Sequence, residues 1–314
     1  MFKKIPNHTR GVRRYTLVVA MALMTSLGVL SIASPALAVP KGEFAVFADC
    51  PLSNAELSAC LVARTESGEI KIGKQAVPIV NTQILQGGFI EERETGAMTF
   101  VGAADGNTLS KTPQPVPGGL IGMVNCKGIS NPSLRELCET IEKSKLNAVT
   151  ATTELALPAP PATLSSIFLS EASLLEPILY EAFGIPALGL PVKVKLENPL
   201  LGNECYIGSS TEPIVLKLTT GTTKPPLPNK PITGKVGELT SRAEGGILVI
   251  KNNSLVDNVF AVPAAKGCGG KAFESVVDPL IDAKLGLPSP SGNNTAILNG
   301  TLEQSGAEAA RESE

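Results

Sequence analysis

Two kinds of side chain in this 314-residue sequence could do chemistry, its carboxylates and its six cysteines. The single histidine is His8, and there is no tryptophan. Downstream of His8 a Ser-His-Asp or Cys-His mechanism has no base, and a histidine-ligated zinc site has no ligand. The sequence contains no G-x-S-x-G elbow, no S-x-x-K, no G-x-x-x-x-G-K-[ST] loop and no G-x-G-x-x-G. Gly267-Cys268-Gly269-Gly270 is glycine-rich, but it follows a strand and reads as turn chemistry. The 24 glutamates and five aspartates leave one mechanism open, a two-carboxylate hydrolysis of the glycosidase kind. Sugar sites use aromatic platforms, and beyond Tyr15 the chain offers only Tyr180 and Tyr206. For a cation, Asp278 and Asp282 stand at i, i+4, and Asp257-Asn258 follows Asn252-Asn253 closely. No D-x-D-x-D-G loop accompanies them, so a solvated helix face and an Asx turn explain these residues. The expectation is a chain with no enzymatic activity, no catalytic residue, no cofactor and no metal.

The cysteines are Cys50, Cys60, Cys126, Cys138, Cys205 and Cys268. Their chemistry depends on the compartment, and residues 1–38 have the physical form of a signal peptide. Lys3, Lys4, Arg10, Arg13 and Arg14 form a basic start, Leu17 to Ala33 an apolar run, and Ala36-Leu37-Ala38 a small-x-small cleavage site. Arg13-Arg14 also raises the twin-arginine route. Cleavage would leave 276 residues from Val39, with 22 basic against 29 acidic side chains. That net negative charge excludes a basic footprint for nucleic acid. No transmembrane anchor is expected after cleavage, nor a lipid anchor. In an exported chain six cysteines read as three disulfides. Fifteen connectivities are possible, and sequence proximity favours Cys50–Cys60, Cys126–Cys138 and Cys205–Cys268. The last would close a long loop, a constraint of roughly 4 kcal/mol in the chain-entropy model.

The elements that hold these bridges read mostly as strands. Val192-Lys193-Val194-Lys195-Leu196-Glu197 and Ile214 to Leu218 alternate with period two, the mark of one buried face. Ile247-Leu248-Val249-Ile250 is a continuous apolar run, as in a strand covered on both faces. Glu43 to Phe47 reads as a first strand, and Leu61 to Gly73 as a hairpin turning at Thr65-Glu66-Ser67-Gly68. Val77 to Gln86 continues the alternation until Gly87-Gly88 breaks it. Asn131-Pro132 opens a helix with Leu134, Leu137, Cys138 and Ile141 on one face. Thr163 to Phe183 reads as one or two amphipathic helices, and Phe273 to Leu285 as another, split at Pro279 with Asp278 as N-cap. Thr295 to Gln304 is a final strand.

The fold class is therefore mainly β with a few helices, a disulfide-stabilised β-sandwich or barrel-like pair of sheets. The expected divisions are the signal peptide 1–38, an N-terminal β-rich lobe 39–149, a helical and proline-rich connection 150–190, a C-terminal β-rich lobe 191–304, and a flexible tail 305–314.

Cys205-Tyr206-Ile207-Gly208, Leu218-Thr219-Thr220-Gly221-Thr222-Thr223, Asn253-Ser254-Leu255-Val256-Asp257-Asn258 and Leu298-Asn299-Gly300-Thr301-Leu302 resemble strings of uncharacterised secreted proteins of actinobacteria. The likeness covers most of residues 190–304 and, more loosely, Phe44 to Gly73. It implies export from a Gram-positive cell and no known activity. The expected function is that of an exported non-catalytic protein, an envelope-associated or extracellular binding or structural component with a cell-envelope or extracellular partner. The alternative is a carrier of an apolar small molecule, suggested by the apolar stretch Leu164 to Leu190. A carboxylate-dependent hydrolase is third.

Overall fold

Alternating apolar and polar residues become long antiparallel strands. The computed structural model describes residues 39–91, 98–120, 127, 130–157 and 167–313; the expected leader 1–38 lies outside them. The strands, in chain order, are β1 (Ala59–Ile72), β2 (Gln75–Pro78), β3 (Gln83–Glu91), β4 (Met98–Gly102), β5 (Gln114–Pro115), β6 (Thr150–Leu155) and β7 (Phe168–Leu169). They continue with β8 (Leu188–Glu197), β9 (Tyr206–Ile207), β10 (Ile214–Leu218), β11 (Glu238–Arg242), β12 (Ile247–Asp257), β13 (Ala265–Lys266) and β14 (Thr295–Gly306). The helices are α1 (Pro132–Glu142), α2 (Glu171–Leu175), α3 (Ile178–Phe183), α4 (Gly270–Leu285) and α5 (Ala307–Glu312).

Two sheets result. The first runs β11-β12-β14-β1-β3-β4, with β2 also pairing β1; the second runs β13-β9-β8-β6-β5, with β10 and β7 pairing β8. Leu61, Leu85, Phe89, Leu255 and Leu302 of the first sheet share one core with Leu188, Leu190, Val192, Val194 and Leu216 of the second. Phe89 and Phe100 meet edge to face across β3 and β4, with ring centroids 5.2 Å apart. On β8 the alternation works as read: Val192, Val194 and Leu196 are buried. Lys193 and Lys195 stay on the other face, where Lys193 pairs with Glu154 and lies 4.3 Å from the centre of the Tyr206 ring. The first sheet is covered on both faces over β12. Ile250 enters the shared core, while Ile247 and Val249 join Phe47, Leu57, Val62, Ala307 and Ala310 in a second cluster behind it.

Cys50–Cys60 ties that rear cluster to β1, and Cys205–Cys268 ties the segment before β9 to the one before α4. The third expected bridge, Cys126 to Cys138, lies outside the described residues, as does the apolar face expected on α1.

Several expectations are corrected. The two lobes are not separate: β1 pairs with β14 from Ala59–Gly306 to Lys71–Thr295, so one sheet holds both ends of the chain. The tail is not flexible in the expected sense. Residues 307–312 form α5, whose Ala307 and Ala310 are fully buried, because small apolar side chains let the helix lie close on β1. Glu43 to Phe47 is a short 3₁₀ helix, Gly42–Phe47, rather than a strand. Leu61 to Gly73 is no hairpin but part of the single strand β1, carrying a bulge between Thr65 and Ser67. There β1 and β14 approach too closely for a side chain: a Cβ on Gly300 would lie 1.7 Å from the Arg64 carbonyl oxygen. Gly87-Gly88 does not break its strand. A Cβ on Gly88 would lie 2.8 Å from the Leu57 side chain, so the glycine makes room for the rear cluster. Pro279 lies inside one unbroken α4, and Thr163 to Phe183 gives β7 and the short α2 and α3 over its described part.

Candidate functional site

The carboxylates singled out by the sequence are consumed by the backbone. Asp257 is almost fully buried; its Oδ2 accepts the Lys217 N–H at 2.6 Å and its Oδ1 the Val259 N–H at 2.8 Å, an Asx turn. Burial pushes its carboxyl above the ordinary range, and the two N–H donors work against that shift. Burial also raises the Tyr180 phenol, helped by the charge of Asp257. Asp278 does not cap its own helix. It accepts from the backbone N–H groups of Gly267 and Cys268, and Asp282 from that of Ala265. Both carboxylates thus fasten the bridge-bearing segment to α4, which the reading of a solvated helix face missed. Glu303 is also buried, between the Arg64 and Arg242 guanidiniums. Among the described residues no group of three or more His, Cys, Asp or Glu side chains could hold a metal ion.

A different feature arises where β1 changes partners. Its pairing with β3 ends at Thr65–Gln83, and its pairing with β2 begins at Glu69–Pro78. Beside the β1–β2 ladder a slot lies between the two sheets. Ile70, Ile72, Val77 and Ile79 form one wall; Val116, Ala151, Val194, Leu196 and Ile207 form the other; Leu285 at the end of α4 closes it. The wall is almost entirely carbon, and Ile70, Gln75, Val77, Ala151 and Thr153 are its half-buried part. The slot is thin, leaving about 50 Å³ to the centre of a water-sized sphere.

A second cavity of about 60 Å³ lies beside it between the sheets, walled by Ala63, Leu85, Leu174, Leu190, Leu216 and Leu298 among others. Ile70, Gln83 and Thr153 line both spaces. Lining positions on β1 run from Ala63 to Ile72, about 30 Å at ~3.3 Å per residue. Of the apolar stretch Leu164 to Leu190, Leu174, Leu188 and Leu190 reach this wall.

Three glutamines line the slot. Gln75 Nε2 donates to the Ala76 and Pro117 carbonyls at 3.1 and 3.4 Å; the other two differ from each other. Gln114 is spent on structure: its Oε1 accepts from the Val80 and Asn81 N–H groups at 2.9 and 3.0 Å, and its Nε2 donates to the Asn81 carbonyl at 2.6 Å. Gln83 is 7% exposed, yet its Nε2, shielded from solvent, has no hydrogen-bond partner. The other such atom among the described residues, Asn258 Oδ1, lies outside both cavities. Sequence reasoning reached neither glutamine, since nothing in Gln83-Ile84-Leu85 separates a wall residue from an ordinary strand residue.

Polar concavities are also present. One sits over the paired bulges of β1 and β12, where Ser67, Asn252, Ser254 and Asn299 surround about 350 Å³. No helix among the described residues is long and apolar enough to cross a membrane. No protein-family model, no curated protein and no solved structure matches the chain.

Proposed function

We propose that this chain is an exported, non-catalytic binding protein that carries an apolar, chain-like small molecule between its two sheets. The observation that carries the reading is the carbon-walled slot and the neighbouring apolar cavity that shares Ile70, Gln83 and Thr153 with it. Export is supported by the basic and apolar run of residues 1–38 and by the two disulfides, which form and persist in oxidising compartments.

The test is native mass spectrometry of the exported full chain, as isolated and after incubation with medium-length alkanes delivered from cyclodextrin. The expected result is one apolar molecule per chain, either carried through purification or taken up saturably. A chain that emerges empty and stays empty overturns the proposal.

A further inference from the structure

We infer that the ligand of the slot carries a hydrogen-bond acceptor part-way along an apolar chain, and that Gln83 Nε2 is the group that binds it. The inference rests on the slot reading above. Gln83 opens β3 opposite Thr65, at the point where β1 exchanges one partner strand for another. It lines both cavities, and apolar residues of each surround it. Buried amide N–H groups are almost always paired, and leaving one unpaired forfeits most of its solvation. Gln114, in the same slot, has its carbonyl oxygen taken by two backbone N–H groups and its amino group bonded to the Asn81 carbonyl. Among the described residues, Gln83 Nε2 is therefore the buried side-chain nitrogen of the wall that has no partner at all. It has no charge, so it selects a neutral acceptor as readily as an ionised one. Because cavity extends on both sides of it, the acceptor belongs in the interior of the ligand: a mid-chain ester, ketone, ether or hydroxyl. A terminal carboxylate would bury its charge in a mostly carbon wall, and the one guanidinium that lines the second cavity, Arg64, is already paired with Glu303, so the charge is costly to place there.

The experiment compares two probes of equal length, tridecane and dihexyl ketone, delivered from cyclodextrin to the full exported chain. Affinities are taken by displacement of a hydrophobic dye, for the native chain and for Gln83→Met, which keeps the side-chain volume and removes the donor. The ketone-to-alkane affinity ratio is expected to fall about five- to tenfold in Gln83→Met, with alkane binding kept. A ratio unchanged by the substitution overturns the role of Gln83 while leaving the slot reading intact. Should neither probe bind the native chain, both fall together. As a check that needs no variant, the carbonyl ¹³C resonance of labelled dihexyl ketone is read when bound to the native chain. A downfield shift from its position in alkane solvent is expected, and a bound ketone showing no shift overturns the inference.

Discussion

Gln83→Met should make the ligand-free protein more stable, although it removes a polar side chain from a native wall. Gln83 is 7% exposed and its Nε2 has no partner, so folding strips that amino group of water and returns no hydrogen bond. An unpaired buried donor costs about 1–3 kcal/mol. Methionine has nearly the same length and volume, so no cavity term is added. The gain should be about 1–2 kcal/mol, or a rise in Tm of roughly 2–6 °C for a chain of this size. Gln114→Met, in the same slot, should do the opposite. It orphans the N–H groups of Val80 and Asn81 and the Asn81 carbonyl, and should cost about 2–4 kcal/mol. Urea unfolding of the exported chain, with bound molecules first stripped, measures both. A loss of stability in Gln83→Met, or equal effects of the two substitutions, would refute the reasoning that one amide is held in reserve and the other is structural.

Removing Cys205–Cys268 by paired serine substitution should cost more than removing Cys50–Cys60. The sequence separations are 63 and 10, and the chain-entropy model gives roughly 4 against 2.7 kcal/mol; denaturant midpoints of the two double variants check the order. The raised carboxyl of Asp257 fixes the sign of a pH effect. An acid whose folded value lies above its unfolded value contributes stability that is full below the unfolded value, near 3.8, and is lost as pH rises through the folded value. Unfolding free energies measured upward from pH 3 should show this falling contribution in the native chain, and Asp257→Asn should lack it. The same substitution should cost about 1–3 kcal/mol, because one of the N–H groups of Lys217 and Val259 loses its acceptor. Ala310→Glu should destabilise by 3 kcal/mol or more, about the cost of forcing a carboxylate into a fully buried site. If thermal melts show that change to be harmless, α5 does not pack as described.

What the sequence made legible follows from periodicity. Val192, Val194 and Leu196 alternate with charged residues, and their strand sits as the pattern requires. Ile247 to Ile250 is apolar throughout because that strand faces two clusters. The bridges Cys50–Cys60 and Cys205–Cys268 join the pairs that proximity favoured. What stayed hidden depends on long-range register. Thr65-Glu66-Ser67-Gly68 has the composition of a turn, and it is a bulge because β14 runs along the whole of β1 and holds it straight. Division into two lobes failed for the same reason, since alternation says which face of a strand is buried and not which strand lies beside it. The tail reads as polar and small, yet its alanines are what a close-packed helix needs. The slot was the least legible feature. Its walls come from strands far apart in sequence, β1 and β2 on one side and β6, β8 and β9 on the other, and Gln83 looks like any other glutamine in the sequence.

The chain contains no tryptophan, so a single one can report on the slot. The most direct measurement is fluorescence of the Val77→Trp variant, titrated with a brominated alkane, beside Leu239→Trp on the exposed edge strand β11. Occupation of the space between the sheets requires saturable quenching at position 77, at one equivalent of bound alkane, and no saturable quenching at position 239. Quenching that never saturates at 77, or that is the same at both positions, would contradict the claim that this protein holds an apolar chain between its sheets.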